Sequence, residues 1–159
     1  MKIILFFLAS VTSLQLNAQL KTTPVCPPLV VDVLGGHINK LYPRSTLGEI
    51  QKALPCETEI VQADSAKCAG IFYKDKDLYF YPERNYFEIR ENFKGKLSLA
   101  MGTGRSSLFQ VLGNPKIKDV SWDAFQTVYG TLVLYYDGAG KINKMQISSK
   151  STETLKLCD

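Results

Sequence analysis

Two stretches of the chain carry the same helix punctuation, and any fold has to place both. Arg44-Ser45-Thr46-Leu47-Gly48-Glu49-Ile50-Gln51-Lys52-Ala53-Leu54-Pro55 runs from small polar residues into an apolar pattern and stops at proline; Arg105-Ser106-Ser107-Leu108-Phe109-Gln110-Val111-Leu112-Gly113-Asn114-Pro115 does the same. Ile50 with Leu54, and Leu108 with Leu112, sit four apart on one helical face. Ser45 or Thr46, and Ser106 or Ser107, are candidate N-caps, since a short hydroxyl side chain accepts a bond from an unpaired N–H of the first turn. Thr46 with Glu49 has the spacing of a capping box. Gly113 ahead of Pro115 marks a helix end. Gly102-Thr103-Gly104-Arg105 has neither phosphate-loop glycine spacing, so these glycines read as a turn into the second helix.

Strand patterns follow each helix. Gly70 to Lys74, Leu78 to Pro82 and Tyr86 to Glu91 are separated by turns at Asp75-Lys76-Asp77 and Pro82-Glu83-Arg84-Asn85. Ala124 to Tyr129, Thr131 to Asp137 and Lys141 to Ser148 follow the second helix, with a hairpin turn at Asp137-Gly138-Ala139-Gly140. The fold expected is therefore α+β, a tandem repeat of a short helix followed by a three-stranded antiparallel sheet, with one sheet face concave and exposed. Residues 37–93 form the first unit, 94–150 the second, 19–36 an extended leader and 151–159 a C-terminal tail.

Residues 1–18 read as a secretory signal: Lys2, the apolar run Ile3 to Ala9, and Leu16-Asn17-Ala18 as the cleavage site. The apolar run is too short to span a membrane, so no stable membrane insertion is expected. A secreted or periplasmic location puts Cys26, Cys56, Cys68 and Cys158 in an oxidising compartment, where disulfides form. Four cysteines allow three connectivities. Spacing favours Cys56 with Cys68, closing a loop between adjacent elements, and Cys26 with Cys158, joining the two ends.

The charge balance is mild, 19 basic against 15 acidic residues with no Lys/Arg block, which points away from nucleic acid. No Cys-x-x-Cys pair exists, and the lone histidine, His37, stands far in sequence from every cysteine, so no metal or other cofactor is expected. Nothing pairs a nucleophile with a base, and no enzymatic activity is expected.

Alternation along the strands sends Leu78, Phe80, Phe87, Ile89, Leu132, Leu134, Met145 and Ile147 to the helices, and Tyr79, Tyr81, Tyr86, Glu88, Arg90, Val133, Tyr135, Lys144 and Gln146 to the opposite face. Tyrosine with arginine is the composition of protein-binding patches, because a rigid ring contributes contact area at small entropic cost.

Between the two helices, Cys56-Glu57, Asp64-Ser65 four residues before Cys68, and Asp77-Leu78-Tyr79-Phe80-Tyr81 resemble the β-lactamase inhibitor protein family, and more broadly the small bacterial outer-membrane assembly lipoproteins. The resemblance implies that Asp64 would enter a target's active site while the sheet tyrosines Tyr79 and Tyr81 line the contact face; strand alternation adds Tyr86, Arg90 and Tyr135 to that face. The function expected is an exported protein-binding module, of inhibitor or immunity type, acting through the sheet face and the Cys56 to Cys68 loop on a protein partner. The other expectation is a scaffold of cell-envelope assembly.

Overall fold

The computed structural model describes residues 25–64 and 68–158. The expected signal, residues 1–18, and Ser65 lie outside the described residues.

The first helix, α1 (Leu47–Ala53), starts as its sequence dictates. Thr46 Oγ1 accepts from the Glu49 N–H at 3.3 Å, and the Glu49 carboxylate accepts from the Thr46 N–H at 2.8 Å. These bonds from Thr46 hold the Glu49 carboxyl below its ordinary value. The helix buries Ile50 and Leu54, and the Tyr73 hydroxyl donates to the Leu54 carbonyl at 2.7 Å, closing its far end. The second helix, α2 (Arg105–Leu112), departs from expectation: its N-cap is Gly104, and Ser106 and Ser107 lie inside the first turn without capping it. The Arg105 N–H is instead taken by the Gly140 carbonyl at 2.9 Å, so a backbone partner replaces the serine hydroxyl. Gly113, at φ +71°, ends the helix.

After α1 come β3 (Glu59–Val61), β4 (Gly70–Tyr73), β5 (Leu78–Tyr81) and β6 (Tyr86–Arg90); after α2 come β8 (Ile117–Lys118), β9 (Trp122–Gln126), β10 (Thr131–Tyr136) and β11 (Ile142–Ser148). They form one antiparallel sheet in the order β3-β4-β5-β6-β11-β10-β9-β8. The molecule is mostly β, and the expected tandem of helix-plus-three-strand units is wrong. Two facts overturn it. β6 and β11 pair along five positions, from Lys144 opposite Arg90 to Ser148 opposite Tyr86, so no sheet boundary exists in the middle. Each group of strands also gains an edge strand, β3 or β8, too short to show alternation. β9 begins at Trp122, two residues before its expected start, and ends at Gln126, where the Thr127–Gly130 turn begins. Gly130 is required there: its φ is +141°, and a Cβ would sit 2.3 Å from the Ser148 carbonyl oxygen.

The described part of the leader, residues 25–36, contributes to the core. β1 (Val30–Asp32) lies between β2 (His37–Ile38), antiparallel, and β7 (Lys96–Leu97), parallel. Leu29, Val31, Val33 and Ile38 from this small sheet join Ile50, Leu54 and Leu108 of the helices against Ile71, Leu78, Phe87, Leu132 and Met145 of the large one.

The disulfides join Cys26 to Cys56 and Cys68 to Cys158, not the pairs expected from spacing. The reason lies in the layers. Cys26 and Cys56 both pack against the core on the helix side. The Cys158 N–H donates to the Tyr86 hydroxyl at 3.0 Å on the opposite face of the sheet, and there Cys158 meets Cys68. In the chain, the edge strand β3 lies between Cys56 and Cys68.

The tail consequently crosses the outer face, which corrects the expectation that this face is exposed throughout. The Lys150 carbonyl accepts from Thr131 Oγ1 at 2.7 Å, the Thr152 N–H donates to Gln126 at 3.2 Å, and Cys158 reaches Tyr86. Tyr86 and Val133 are each 1 % exposed and Thr131 is fully buried.

Candidate functional site

The pairing register places Tyr79, Tyr81, Tyr86, Arg90 and Tyr135 on the outer face, but in different surroundings. Tyr86 stacks on Tyr81 with ring centroids 4.6 Å apart, and its hydroxyl accepts from Cys158, so the tail occupies it. Burial raises the Tyr86 phenol above its ordinary value and pushes Tyr81 up to about 12. Phe72 touches both Tyr79 and Tyr81 at 5.5 and 5.4 Å between centroids, making a small aromatic cluster on β4 and β5. Asp64 is exposed beyond the end of β3, in the segment leading to Cys68.

The second flank is organised around a buried carboxylate. Glu88 is 3 % exposed; it accepts from Arg90 Nε at 2.5 Å and from the Gln146 amide at 2.7 Å. Gln146 in turn accepts from the Tyr135 hydroxyl at 2.9 Å. The Arg90 guanidinium lies 4.1 Å from the Tyr79 ring centre and the Lys144 ammonium 3.8 Å from that of Tyr135. Such stacking holds a cation in place while leaving one side of it toward water. Burial works against the charge on Arg90, and the bond to Glu88 together with its negative charge outweighs it, so the Arg90 pKa is raised.

A cleft of about 540 Å³ opens at this end of the sheet, lined by Arg90, Lys144 and Tyr135 together with the carboxylates of Asp77 and Glu91 and the side chains of Asn92 and Ser121. On the other side of Tyr135, a slot of about 260 Å³ runs between the sheet and the tail, walled by Trp122, Ile117, Val133, Leu155 and Leu157. Lys144, Trp122 and the tail leucines were not among the candidate site residues. Alternation in Trp122-Asp123-Ala124-Phe125 and in Leu155-Lys156-Leu157-Cys158 is the signal that marks them.

The stretch from Gly102 to Ser107 has a structural task. Arg105 binds the fully buried Asp123 through Nε at 2.9 Å and Nη2 at 2.6 Å, and donates to the carbonyls of Val120 and Asp119. Tyr136 donates to the same carboxylate at 2.9 Å. His37 stands 3.7 Å from Asp32 and beside the Tyr42 ring. Among the described residues no group of three or more His, Cys, Asp or Glu side chains is arranged to hold a metal ion, and no helix is long and apolar enough to cross a membrane. The donors and rings gathered on the outer face suit recognition of another surface, since they offer cations, phenols and amides on a rigid backbone.

No protein-family model, no curated protein and no solved structure matches the chain, and nothing in these comparisons links it to the β-lactamase inhibitor protein family.

Proposed function

We propose that the protein is an exported protein-binding module whose contact surface is the part of the outer sheet face that its own tail leaves open. One observation carries this reading: Phe72, Tyr81, Tyr135 and Trp122 share one face, remain partly exposed, and flank a strip closed by a disulfide-tethered segment. Rigid aromatic rings with stacked cations beside them are the composition of contact surfaces between proteins. The two disulfides fit an oxidising, extracytoplasmic compartment. An inhibitor or immunity-type role is the sharper form, in which the captured partner is an exported enzyme that loses activity.

The test is capture from envelope and secreted extracts on immobilised protein, run beside Tyr81→Ala and Tyr135→Ala. A partner retained by the wild type and lost with both variants supports the reading. A partner retained equally by all three, or none retained by the wild type, contradicts it. Activity of a captured enzyme, measured with and without the protein, separates inhibition from simple association.

A further inference from the structure

Residues 150–158 cross the outer face in two halves that are held differently. Hydrogen bonds fix the first half: the Lys150 carbonyl accepts from Thr131 Oγ1 at 2.7 Å, the Thr152 N–H donates to Gln126 at 3.2 Å, and the Leu155 N–H closes a turn on the Ser151 carbonyl at 2.9 Å. Among the described residues, the polar and covalent hold from Lys156 on consists of the Cys158 N–H, which donates to the Tyr86 hydroxyl at 3.0 Å, and the bond from Cys158 to Cys68. Leu155 and Leu157 stay partly exposed and wall the slot of about 260 Å³ with Trp122 and Val133, so this half spans the sheet without filling the space beneath it. The two disulfides are consequently unlike. Cys26 and Cys56 pack against the core, whereas Cys68 and Cys158 lie outside it. Thiol–disulfide exchange requires a thiolate to reach a sulfur, so access and local opening decide which bond reacts.

We infer that residues 153–158 are a redox-latched strap: a dithiol reductant opens Cys68–Cys158 ahead of Cys26–Cys56, the segment lifts from the outer face, and Tyr86, Val133 and Trp122 are uncovered beside Tyr81 and Tyr135. In the exchange, one thiolate of the dithiol attacks a sulfur of the Cys68–Cys158 pair, breaks the S–S bond and forms a mixed disulfide. The departing cysteine thiolate takes up a proton. The second thiolate of the reductant then displaces the remaining cysteine, which is protonated in turn. Two electrons and two protons have moved to Cys68 and Cys158, and the reductant leaves as a disulfide. The bonds of Thr131 and Gln126 to the first half act as the hinge. The core stays closed, because the helix layer and its own disulfide lie on the other side of the sheet. The latch stands apart from the protein-binding reading, since its test uses the protein alone.

Trp122 is the protein's single tryptophan and shares the slot with Leu155 and Leu157, so its emission reports on the strap. The experiment incubates native protein with dithiothreitol in the absence of denaturant, blocks free thiols with iodoacetamide at intervals, and maps the blocked cysteines. Tryptophan emission, far-ultraviolet circular dichroism and brief trypsin digestion are followed in parallel. The expected result is blocking of Cys68 and Cys158 about tenfold or more faster than of Cys26 and Cys56. Trp122 emission changes in step, trypsin cuts after Lys156 only in the reduced protein, the dichroism is unchanged, and oxidised glutathione restores the starting state. Cys68→Ser with Cys158→Ser should show the reduced protein's emission without any dithiol. Equal or earlier blocking of Cys26 and Cys56, emission unmoved once Cys68 and Cys158 are blocked, or loss of dichroism in step with their blocking would each overturn the inference. All three are read on the wild-type protein, so the outcome stands whether or not the serine variant folds.

Discussion

Lys144 stands directly opposite Arg90 on neighbouring strands, with both side chains on the outer face. Each has its own compensation, a tyrosine ring for Lys144 and a ring plus Glu88 for Arg90, so single substitutions mix repulsion with lost stacking. A double-mutant cycle of Arg90→Met and Lys144→Met separates them. It should give an unfavourable coupling of about 0.5 kcal/mol that shrinks with added salt. A favourable coupling would show that the two cations do not oppose each other.

The tether between Cys68 and Cys158 closes a separation of 90 residues. Replacing both with serine should cost about 4 to 5 kcal/mol in urea unfolding on the chain-entropy model, and should make the chain after Lys150 sensitive to trypsin while the rest stays resistant. Equal resistance of the tail with and without the disulfide would mean that Thr131, Gln126 and Tyr86 hold it unaided.

Asp123 is fully buried between Arg105 and Tyr136, so its loss leaves a guanidinium and a phenol without their shared acceptor. Asp123→Ala should destabilise by about 3 kcal/mol or more in denaturant unfolding. A loss under about 1 kcal/mol would mean that the pair behaves like an exposed one.

Burial raises the phenols of Tyr73, Tyr86, Tyr129 and Tyr136, and takes Tyr81 from an ordinary 10.0 to about 12. A phenol raised in the folded state stabilises fully below its unfolded pKa, and that stabilisation is lost as pH rises through the folded one. Stability should therefore fall as pH rises from about 10 toward 12, with phenolate absorbance appearing together with unfolding. Tyr81→Phe should flatten part of the fall. An unchanged slope would remove Tyr81 from the group responsible.

Local chemistry was legible where the sequence carries its own periodicity. The Thr46 to Glu49 box, the end of α2 at Gly113, and the sorting of Leu78, Phe80, Phe87 and Ile89 to one face and Tyr79, Tyr81, Tyr86 and Glu88 to the other need only near neighbours. Long-range pairing was not legible. β3, at three residues, and β8, at two, are too short for alternation to register, and the pairing of β6 with β11, which turns two expected sheets into one, joins strands far apart in the chain. The disulfide pairs depend on which layer each cysteine reaches, and a separation of twelve between Cys56 and Cys68 reveals nothing of the strand that lies between them. Tyr86 looked available on alternation alone; the segment that covers it lies 72 residues further along the chain.

Where the tail lies decides which residues of the outer face a partner can reach, and the disulfide pairing fixes that. Trypsin places all four cysteines in separate peptides, so a non-reducing peptide map reads the pairing directly. The structure predicts residues 157–159 linked to 68–74, and residues 22–40 linked to 53–67. A link between 53–67 and 68–74 would contradict it, because Cys158 would then be unpaired with Cys68 and the tail would no longer be tied across the sheet.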